Sequence, residues 1–265
     1  MGVFITGASS GLGAALAHHY AAQGHVVGLL ARRGNRLREL AASLPGTHHL
    51  YVVDVCDRQA LHAAAEDFIQ KVGRVDIVIA SAGISVGTLT EQKDDFAVFK
   101  AIFETNVLAT VSTFEPFVPH MKQARAGTLV GIASVAGVRG LPGAGAYSAS
   151  KSAVTTYCES LRLELKPFEV CVVTIAPGYI KTEMTAKNPY SMPFLLEADV
   201  FATRAAQAIA QQNSYTVIPW QMGVVGKLMR LLPNWLYDRL AVNAPRKPRR
   251  SSIAIDPDKR TDHGK

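Results

Sequence analysis

The sequence has little of several features that mark other classes of protein. Its 265 residues include three cysteines, Cys56, Cys158 and Cys171, which form no CxxC pair. So few cysteines exclude a disulfide-built scaffold and are typical of a reducing compartment, so we expect a cytoplasmic protein. No apolar run approaches the roughly 18 residues that a membrane-spanning helix requires. Four of the eight histidines form two adjacent pairs, and none has HExxH or Cys/His ligand spacing, so we expect no metal site.

Acidic residues are fewer than basic ones, and the imbalance lies mainly at one end of the chain. The net charge is +7, and residues 246–265 contain seven basic and three acidic side chains. This tail therefore holds more than half of the excess positive charge. Its proline and charge content predicts a disordered extension. Because no groove-reading or aromatic motif accompanies the charge, we expect no nucleic-acid partner.

Short apolar runs alternate with helical segments along the rest of the chain. Runs rich in Val, Ile and Leu between helices are typical of a parallel sheet buried on both faces. We therefore predict an α/β fold, with one doubly wound domain over residues 1–220 and a seven-stranded parallel sheet. Residues 183–242 would be a variable, substrate-covering helical extension of that domain. The predicted strands are residues 2–6, 25–31, 49–55, 75–81, 127–134, 169–176 and 215–219.

A glycine-rich turn, "TGASSGLG", ends the first predicted strand and opens a helix. Gly7, Gly11 and Gly13 let the backbone turn tightly and bring its N–H groups and the positive helix end close to a phosphate. The spacing is GxxxGxG, which differs from the GxGxxG of the standard dinucleotide fingerprint. Its place directly after the first strand nevertheless predicts a dinucleotide-binding loop.

The end of the second strand indicates which dinucleotide is bound. An acidic residue there would hold the ribose 2′-hydroxyl of NAD, but the sequence has Arg32 and Arg33. Arginine matches a 2′-phosphate through charge-assisted, often bidentate hydrogen bonds. We therefore predict NADP(H) in preference to NAD(H). The alternative is that both arginines are solvated surface residues.

Near the middle of the chain, "GAYSASKSAV" places Tyr147 and Lys151 four residues apart on one face of a predicted helix. This spacing fits an exposed pair without a role. It also fits a phenol whose proton is made easier to move by a neighbouring ammonium group. The pair alone leaves both interpretations open.

In this order and spacing, the motifs resemble the classical short-chain dehydrogenases/reductases over roughly residues 1–220. The resemblance implies a Rossmann-type fold and a further set of cofactor contacts. The sequence departs from the family at Ser81, where the family has asparagine before Ala82 and Gly83. With Arg32 and Arg33, the expected cofactor-binding residues are Gly7, Ser9, Ser10, Gly11, Leu12, Gly13, Asp54, Val55, Ala82, Gly83, Tyr147, Lys151, Pro177, Gly178 and Thr182.

The same resemblance implies four catalytic residues. Tyr147 is expected to be the general acid in reduction and the base in oxidation, with its pKa lowered by Lys151. Lys151 also holds the nicotinamide ribose hydroxyls, and Ser134 orients the substrate oxygen. Asn106 positions a water for proton relay.

The activity expected from this set is that of an NADP(H)-dependent carbonyl reductase or alcohol dehydrogenase. The alternatives are NAD-dependent alcohol oxidation and an NADP(H)-binding regulatory or scaffold protein without turnover. A homodimer or tetramer is expected, since both are common in the family.

The segment after Thr182 bears on the substrate. It corresponds to the variable substrate-covering segment of the family, and it is apolar. This predicts a hydrophobic ketone or alcohol as substrate, unless the apolar side chains are only the packing surface of the segment itself. They are Met184, Tyr190, Met192, Pro193, Phe194, Leu195 and Leu196.

Residues 220–242 carry apolar side chains at helical spacing, and Pro233 is expected to start a second short helix. Lys227, Arg230 and Arg239 flank the apolar stripe. An amphipathic helix with tryptophan and basic flanks fits a peripheral membrane contact through residues 220–250. It equally fits a cover for the substrate pocket or a subunit contact, and we favour these two.

Overall fold

The computed structural model describes residues 1–186, 188 and 190–249. It confirms the predicted seven-stranded parallel sheet, with strand ends that differ from the prediction by up to three residues. The strands are β1 (Gly2–Thr6), β2 (Val26–Ala31), β3 (His48–Val52), β4 (Val75–Ala80), β5 (Thr128–Ile132), β6 (Cys171–Pro177) and β7 (Tyr215–Ile218).

The strand order is β3-β2-β1-β4-β5-β6-β7, and every neighbouring pair is parallel. The chain first builds outward from β1 to β3, then returns to the other side of β1 with β4. In such sheets ligands bind in the crevice at the carboxyl ends of the strands, where the strand order reverses. The fold therefore predicts a site beside the ends of β1 and β4.

Ten α-helices connect or follow the strands in the described part of the chain. This part of the chain also has one π-helical turn, Glu104–Leu108. The helices are α1 (Gly11–Ala22), α2 (Gly34–Ser43), α3 (Arg58–Val72), α4 (Asp95–Phe103), α5 (Ala109–Phe114), α6 (Val118–Ala124), α7 (Gly145–Leu165), α8 (Ala198–Ala210), α9 (Trp220–Leu231) and α10 (Asn234–Ala241).

Two separate clusters of buried side chains show that helices cover both faces of the sheet. Leu16 of α1, Leu37 of α2 and Phe201 of α8 belong to the cluster on one face. Phe68 of α3 and Val154 of α7 belong to the cluster on the other face. Fully burying a side chain of this size contributes roughly 1.5–3 kcal/mol, so these two layers hold the sheet between them.

Local sequence signals account for several helix ends. Asp57 is the N-cap of α3, as its place before the helix predicts, and its carboxylate accepts a hydrogen bond from the backbone N–H of Ala60 at 3.0 Å. Pro233 immediately precedes α10, as predicted for a second short helix. No helix within residues 1–186 and 190–249 is long and apolar enough to cross a membrane.

The start of the predicted disordered tail, 246–265, differs from the prediction. Residues 246–249 lie against the domain, and the backbone N–H of Gly87 donates to the carbonyl of Pro248 at 3.0 Å. These residues keep a fixed position because one of their basic side chains has a specific partner: the guanidinium of Arg249 pairs with the buried carboxylate of Asp95. Residues 250–265 lie outside the described residues.

Candidate active site

The turn between β1 and α1 forms a close-fitting backbone cradle. Gly7 and Gly11 have φ of +68° and +57°, a region that side chains disfavour. A Cβ on Gly7 would lie 2.7 Å from the Cα of Ala82, and a Cβ on Gly13 would collide with the carbonyl of Gly7. These glycines therefore bring the turn, the start of α1 and the end of β4 into close approach.

The N-terminus of α1 faces this cradle without a side-chain cap. Ser10 is the N-cap residue, and its hydroxyl accepts no hydrogen bond from the first turn of the helix. The first N–H groups of the helix and its positive dipole end are thus suited to an anionic group such as a phosphate. This backbone geometry fits the pyrophosphate of a dinucleotide.

Arg32 and Arg33 have different surroundings. Arg33 donates to the hydroxyls of Ser10 at 2.5 Å and Ser9 at 3.2 Å, so its guanidinium lies over the glycine-rich turn. Arg32 pairs with the carboxylate of Asp54 at 3.3 Å. Arg33 is therefore the arginine that meets the turn. Both guanidinium charges are partly balanced, since Arg33 also pairs with Glu183 at 3.5 Å.

The predicted acid–base pair stands at the start of α7. Tyr147 is half-buried, and the ammonium of the buried Lys151 lies 5.9 Å from the centre of its ring. Lys151 Nζ donates to the carbonyl of Ile132 at the end of β5, at 2.7 Å. Ser134 lies just beyond β5 and its hydroxyl accepts a hydrogen bond from the backbone N–H of Ala136 at 3.2 Å.

Burial sets the pKa values of this pair. It lowers the pKa of Lys151 to about 8, and the nearby thiol of Cys158 acts in the opposite direction. Burial also raises the pKa of Tyr147, while a hydrogen bond with Ser134 acts to lower it. Among the chain's own residues, desolvation of the phenol therefore has the largest effect on the Tyr147 pKa. The expected lowering of this pKa by Lys151 stays a prediction.

Asn106 is fully buried behind the site, within the π-helical turn. Its Oδ1 accepts from the backbone N–H of Ile84 at 2.8 Å, and its Nδ2 donates to the Ile84 carbonyl and to Ser150 Oγ, both at 3.0 Å. The side chain thus ties the loop after β4 to α7. The glycine at position 83 lets the Asn106 side chain come close to the backbone of this loop, since a Cβ added there would lie 3.3 Å from Asn106 Oδ1.

A cavity of about 850 Å³ collects most of the predicted site residues at the carboxyl ends of the strands. Two predicted residues do not line it: Asn106 lies behind the wall, and Asp54 forms the ion pair with Arg32 outside it. Those that line it are Gly7, Ser9, Ser10, Gly11, Leu12, Gly13, Arg32, Arg33, Val55, Ala82, Gly83, Ser134, Tyr147, Lys151, Pro177, Gly178 and Thr182.

A larger depression, of about 1210 Å³, opens at the opposite edge of the sheet. It is lined by residues at the amino ends of the strands, among them Met1, Asp76 and Thr128, and it contains none of the predicted site residues. The cavity at the carboxyl ends is therefore the candidate active site. Among the described residues, no cluster of His, Cys, Asp and Glu is arranged to hold a metal ion.

Apolar side chains line the part of the cavity away from the glycine-rich turn. Met184, Tyr190 and Phe194 come from the predicted substrate-covering segment, and Val225 and Met229 come from α9. Four of the seven apolar residues predicted for this segment therefore face the cavity, the fourth being Pro193, while Leu196 packs against a core cluster. The inner side of α9 likewise covers the cavity.

One residue that lines the cavity close to Tyr147 was not predicted from the sequence. Lys247, which the sequence analysis assigned to a disordered tail, lines the cavity with its Nζ 5.2 Å from the centre of the Tyr147 ring. Its ammonium donates to Ser85 Oγ at 2.5 Å. No local sequence pattern predicts this contact, because 100 residues separate Lys247 from Tyr147.

Comparison with known proteins bears on the fold and on the class of reaction. A family model described as short chain dehydrogenase matches residues 2–192. An uncharacterized oxidoreductase of Myxococcus xanthus is 36% identical over 240 residues, which cover 89% of this chain and 94% of that protein. A short-chain dehydrogenase from Sphingobium yanoikuyae in complex with NADPH has a TM-score of 0.74 at 27% identity, covering 88% of this chain and 96% of that one.

A second solved structure carries the other nicotinamide dinucleotide. The 3-ketoacyl-(acyl-carrier-protein) reductase from Brucella melitensis complexed with NADH has a TM-score of 0.75 at 25% identity, covering 82% of this chain and 96% of that one. The fold, the glycine cradle and these similarities define a nucleotide-binding oxidoreductase. The chain belongs to the short-chain dehydrogenase family.

Proposed function

We propose that this protein is an NADPH-dependent carbonyl reductase that acts on hydrophobic ketones and, in reverse, oxidises the corresponding alcohols. The observation that carries the proposal is the convergence of Tyr147, Ser134 and Lys151 in one cavity with the glycine cradle. The apolar lining from the covering segment and α9 supports a hydrophobic substrate.

The residues of the cavity fit an NADP(H) cofactor. The cradle of Gly7, Gly11 and Gly13, with the uncapped start of α1, would hold the pyrophosphate. Arg33, together with Ser9, would hold the 2′-phosphate that distinguishes NADP from NAD. When bound, the nicotinamide supplies the hydride that reaches the carbonyl carbon.

The chain's own residues supply the proton and the orientation. Tyr147 would donate its phenolic proton to the carbonyl oxygen during reduction. Burial raises the pKa of this phenol and so weakens it as an acid, which means that the transfer needs a nearby positive charge to stabilise the phenolate. Ser134 would donate a hydrogen bond to the same oxygen and fix its position. The buried ammonium of Lys151 favours the phenolate that remains, because opposite charges in a desolvated site attract strongly.

Replacement of Tyr147 tests this assignment directly. NADPH oxidation is followed at 340 nm with a panel of hydrophobic ketones and aldehydes, and NADH is run in parallel. Tyr147→Phe should reduce turnover by about 10²–10⁴-fold, the usual contribution of a general acid, while leaving NADPH binding largely unchanged. Tyr157→Phe, which removes a hydroxyl from the same helix away from the cavity, is the matched control. Full activity of Tyr147→Phe would refute the assignment.

We also propose that α9 and α10 make a peripheral membrane contact. Val224, Leu228 and Leu231 follow one another at helical spacing on α9, and all are exposed. Both tryptophans of the chain, Trp220 and Trp235, are exposed in the same two helices. Basic side chains at 227, 230 and 239 flank them, which favours an anionic lipid surface. Contact with a second copy of the chain is the competing use of this surface.

A further inference from the structure

Residues 244–249 form a strap across the open side of the cavity. Ala244, Pro245 and Lys247 line the cavity directly. The rest of the strap lies against the loop after β4 and the loop before α7. Gly143, for example, has φ +69° and a Cβ there would lie 3.0 Å from Arg246 Cβ. The 244–249 strap is therefore part of the wall at the substrate end of the cavity.

The strap has anchors that fix its position. Arg249 makes a two-point contact with Asp95, with Nε to Oδ2 at 2.7 Å and Nη2 to Oδ1 at 3.1 Å. The Asp95 carboxylate also accepts from the backbone N–H of Leu89 at 2.8 Å. Two parallel charge-assisted bonds to a buried carboxylate impose a defined geometry. Gly87 adds a backbone bond to Pro248, and it lies so close to the Lys247 carbonyl that no side chain fits there.

These anchors hold the Lys247 ammonium inside the cavity beside the acid–base group. Ser85 Oγ accepts one of its hydrogen bonds, and the Tyr147 ring lies 5.2 Å from its Nζ. Within the described residues, no carboxylate forms an ion pair with Lys247. The acidic residue that lines the same cavity, Glu183, is paired with Arg33 and Arg36 at the cofactor end.

This arrangement is costly unless a ligand completes it. The half-buried Lys247 loses part of the hydration of its ammonium, and its two partners, the Ser85 hydroxyl and the Tyr147 ring, carry no opposite charge. Consistent with this, burial lowers the pKa of Lys247 to about 8. The neighbouring walls, from Ile84, Leu141 and Pro142, are apolar and offer no anion. A negatively charged group on the substrate would complete the site.

We propose that Lys247 determines substrate specificity by binding a carboxylate that the hydrophobic carbonyl substrate carries within a few bonds of the reacting carbonyl. The inference rests on the proposed reductase function and adds the substrate class, hydrophobic oxo acids. We assign Lys247 to binding and not to the chemical step, since Lys151, one helical turn from Tyr147 and 5.9 Å from its ring centre, is the ammonium assigned to the acid–base pair.

Matched substrates test the proposal. Medium-chain 2-oxo and 3-oxo acids, their methyl esters and the parent ketones are reduced with NADPH by the wild type, Lys247→Met and Lys247→Arg. The wild type should prefer the acids over the esters at least tenfold in kcat/KM. Lys247→Met should lose this preference through a higher KM for the acids, with the esters changed by less than threefold. Lys247→Arg should keep it, and Lys93→Met, at an exposed position, should behave as wild type.

Binding of a product-like carboxylate gives a second readout that does not need turnover. Decanoate and decanol are titrated calorimetrically into the protein with NADP⁺, and Lys247→Met should weaken decanoate binding at least tenfold while leaving decanol unchanged. Equal binding of decanoate by wild type and Lys247→Met overturns the inference. Reduction of ketones and esters without any preference for acids also overturns it, and leaves the reductase function standing. Carboxylate binding that depends on Lys247, without reduction of any compound, instead contradicts the reductase function.

Discussion

At the scale of single residues, the two arginines after β2 are not equivalent. Arg33 contacts both serines of the glycine-rich turn and pairs with Glu183, whereas Arg32 pairs with Asp54. We predict that Arg33→Ala raises the KM for NADPH by about 10–100-fold, because a charge-assisted hydrogen bond contributes roughly 1.5–3 kcal/mol. The KM for NADH should stay within about threefold, since NADH lacks the phosphate.

Steady-state kinetics with both cofactors measure this difference. Arg32→Ala should have the smaller effect on NADPH. Arg38→Ala, whose guanidinium donates to Asn35 Oδ1 on the surface, is the control. An equal loss with NADPH and NADH in Arg33→Ala would mean that Arg33 supports the turn itself and does not read the phosphate.

A pH dependence follows from the buried lysine beside the acid–base group. Burial disfavours the charged ammonium, which lowers the pKa of Lys151 to about 8, so the neutral amine dominates above that pH. We predict that kcat/KM for reduction of neutral ketones falls as the pH rises through about 8. Lys247→Met should keep this decline, although the pKa of Lys247 is also about 8, because Lys247 does not act on a neutral ketone. A profile that is flat to pH 10 would contradict the role of Lys151.

Residues with short-range signals were predictable, and those with distant partners were not. Tyr147 and Lys151 lie one helical turn apart, and the three glycines share one loop, so spacing alone brings them together. The pKa direction of Tyr147 was not predictable, because it depends on desolvation by residues from many elements. Lys247 reaches the cavity through an ion pair between Arg249 and Asp95, which no local pattern encodes.

At the scale of elements, the strands were predictable because buried parallel strands are continuous apolar runs. The least accurate end is that of β3, an edge strand with half-exposed side chains that was expected to continue to residue 55. Composition assigned residues 246–249 of the strap to a disordered tail for a related reason. A run of basic residues and prolines suggests a solvated tail, and only tertiary partners give residues 246–249 a fixed position.

A glycine under the strap allows that element to be tested. Gly87 lies against the Lys247 carbonyl, so Gly87→Ala should displace the strap. We predict faster trypsin cleavage after Arg246 and a loss of the preference for oxo acids, with NADPH binding kept. Mass spectrometry of the cleavage products and kinetics on acid–ester pairs measure these effects.

The matched control is Gly140→Ala, since a Cβ at Gly140 would have no atom within 4 Å. Its cleavage rate and substrate preference should equal those of the wild type. If Gly87→Ala is cleaved at the wild-type rate, the position of the strap does not depend on this close contact. The ion pair of Arg249 with Asp95 is then the anchor to test.

At the scale of the whole molecule, the apolar side chains of α9 lie on two faces of the helix, one turned towards the cavity and one towards solvent. Met222 is buried and Met229 lines the cavity, while Leu228 and Leu231 are 59% and 80% exposed. The helix therefore joins the substrate end of the cavity to an apolar outer surface. Substrates that partition into lipid would reach the cavity by a short path if this surface rests on a membrane, which links the proposed substrate class to the proposed contact.

Intrinsic fluorescence reports on this surface because Trp220 and Trp235 are the two tryptophans of the sequence and are 67% and 69% exposed. Vesicles of phosphatidylcholine with phosphatidylserine should shift the emission to the blue, and added salt should weaken the shift by screening the basic flanks. Leu231→Ser should weaken vesicle binding about tenfold or more, since burying a leucine contributes roughly 1.5–3 kcal/mol. Leu163→Ser, at an exposed leucine of α7, should not. A shift that follows protein concentration without lipid would instead assign the surface to a second copy of the chain.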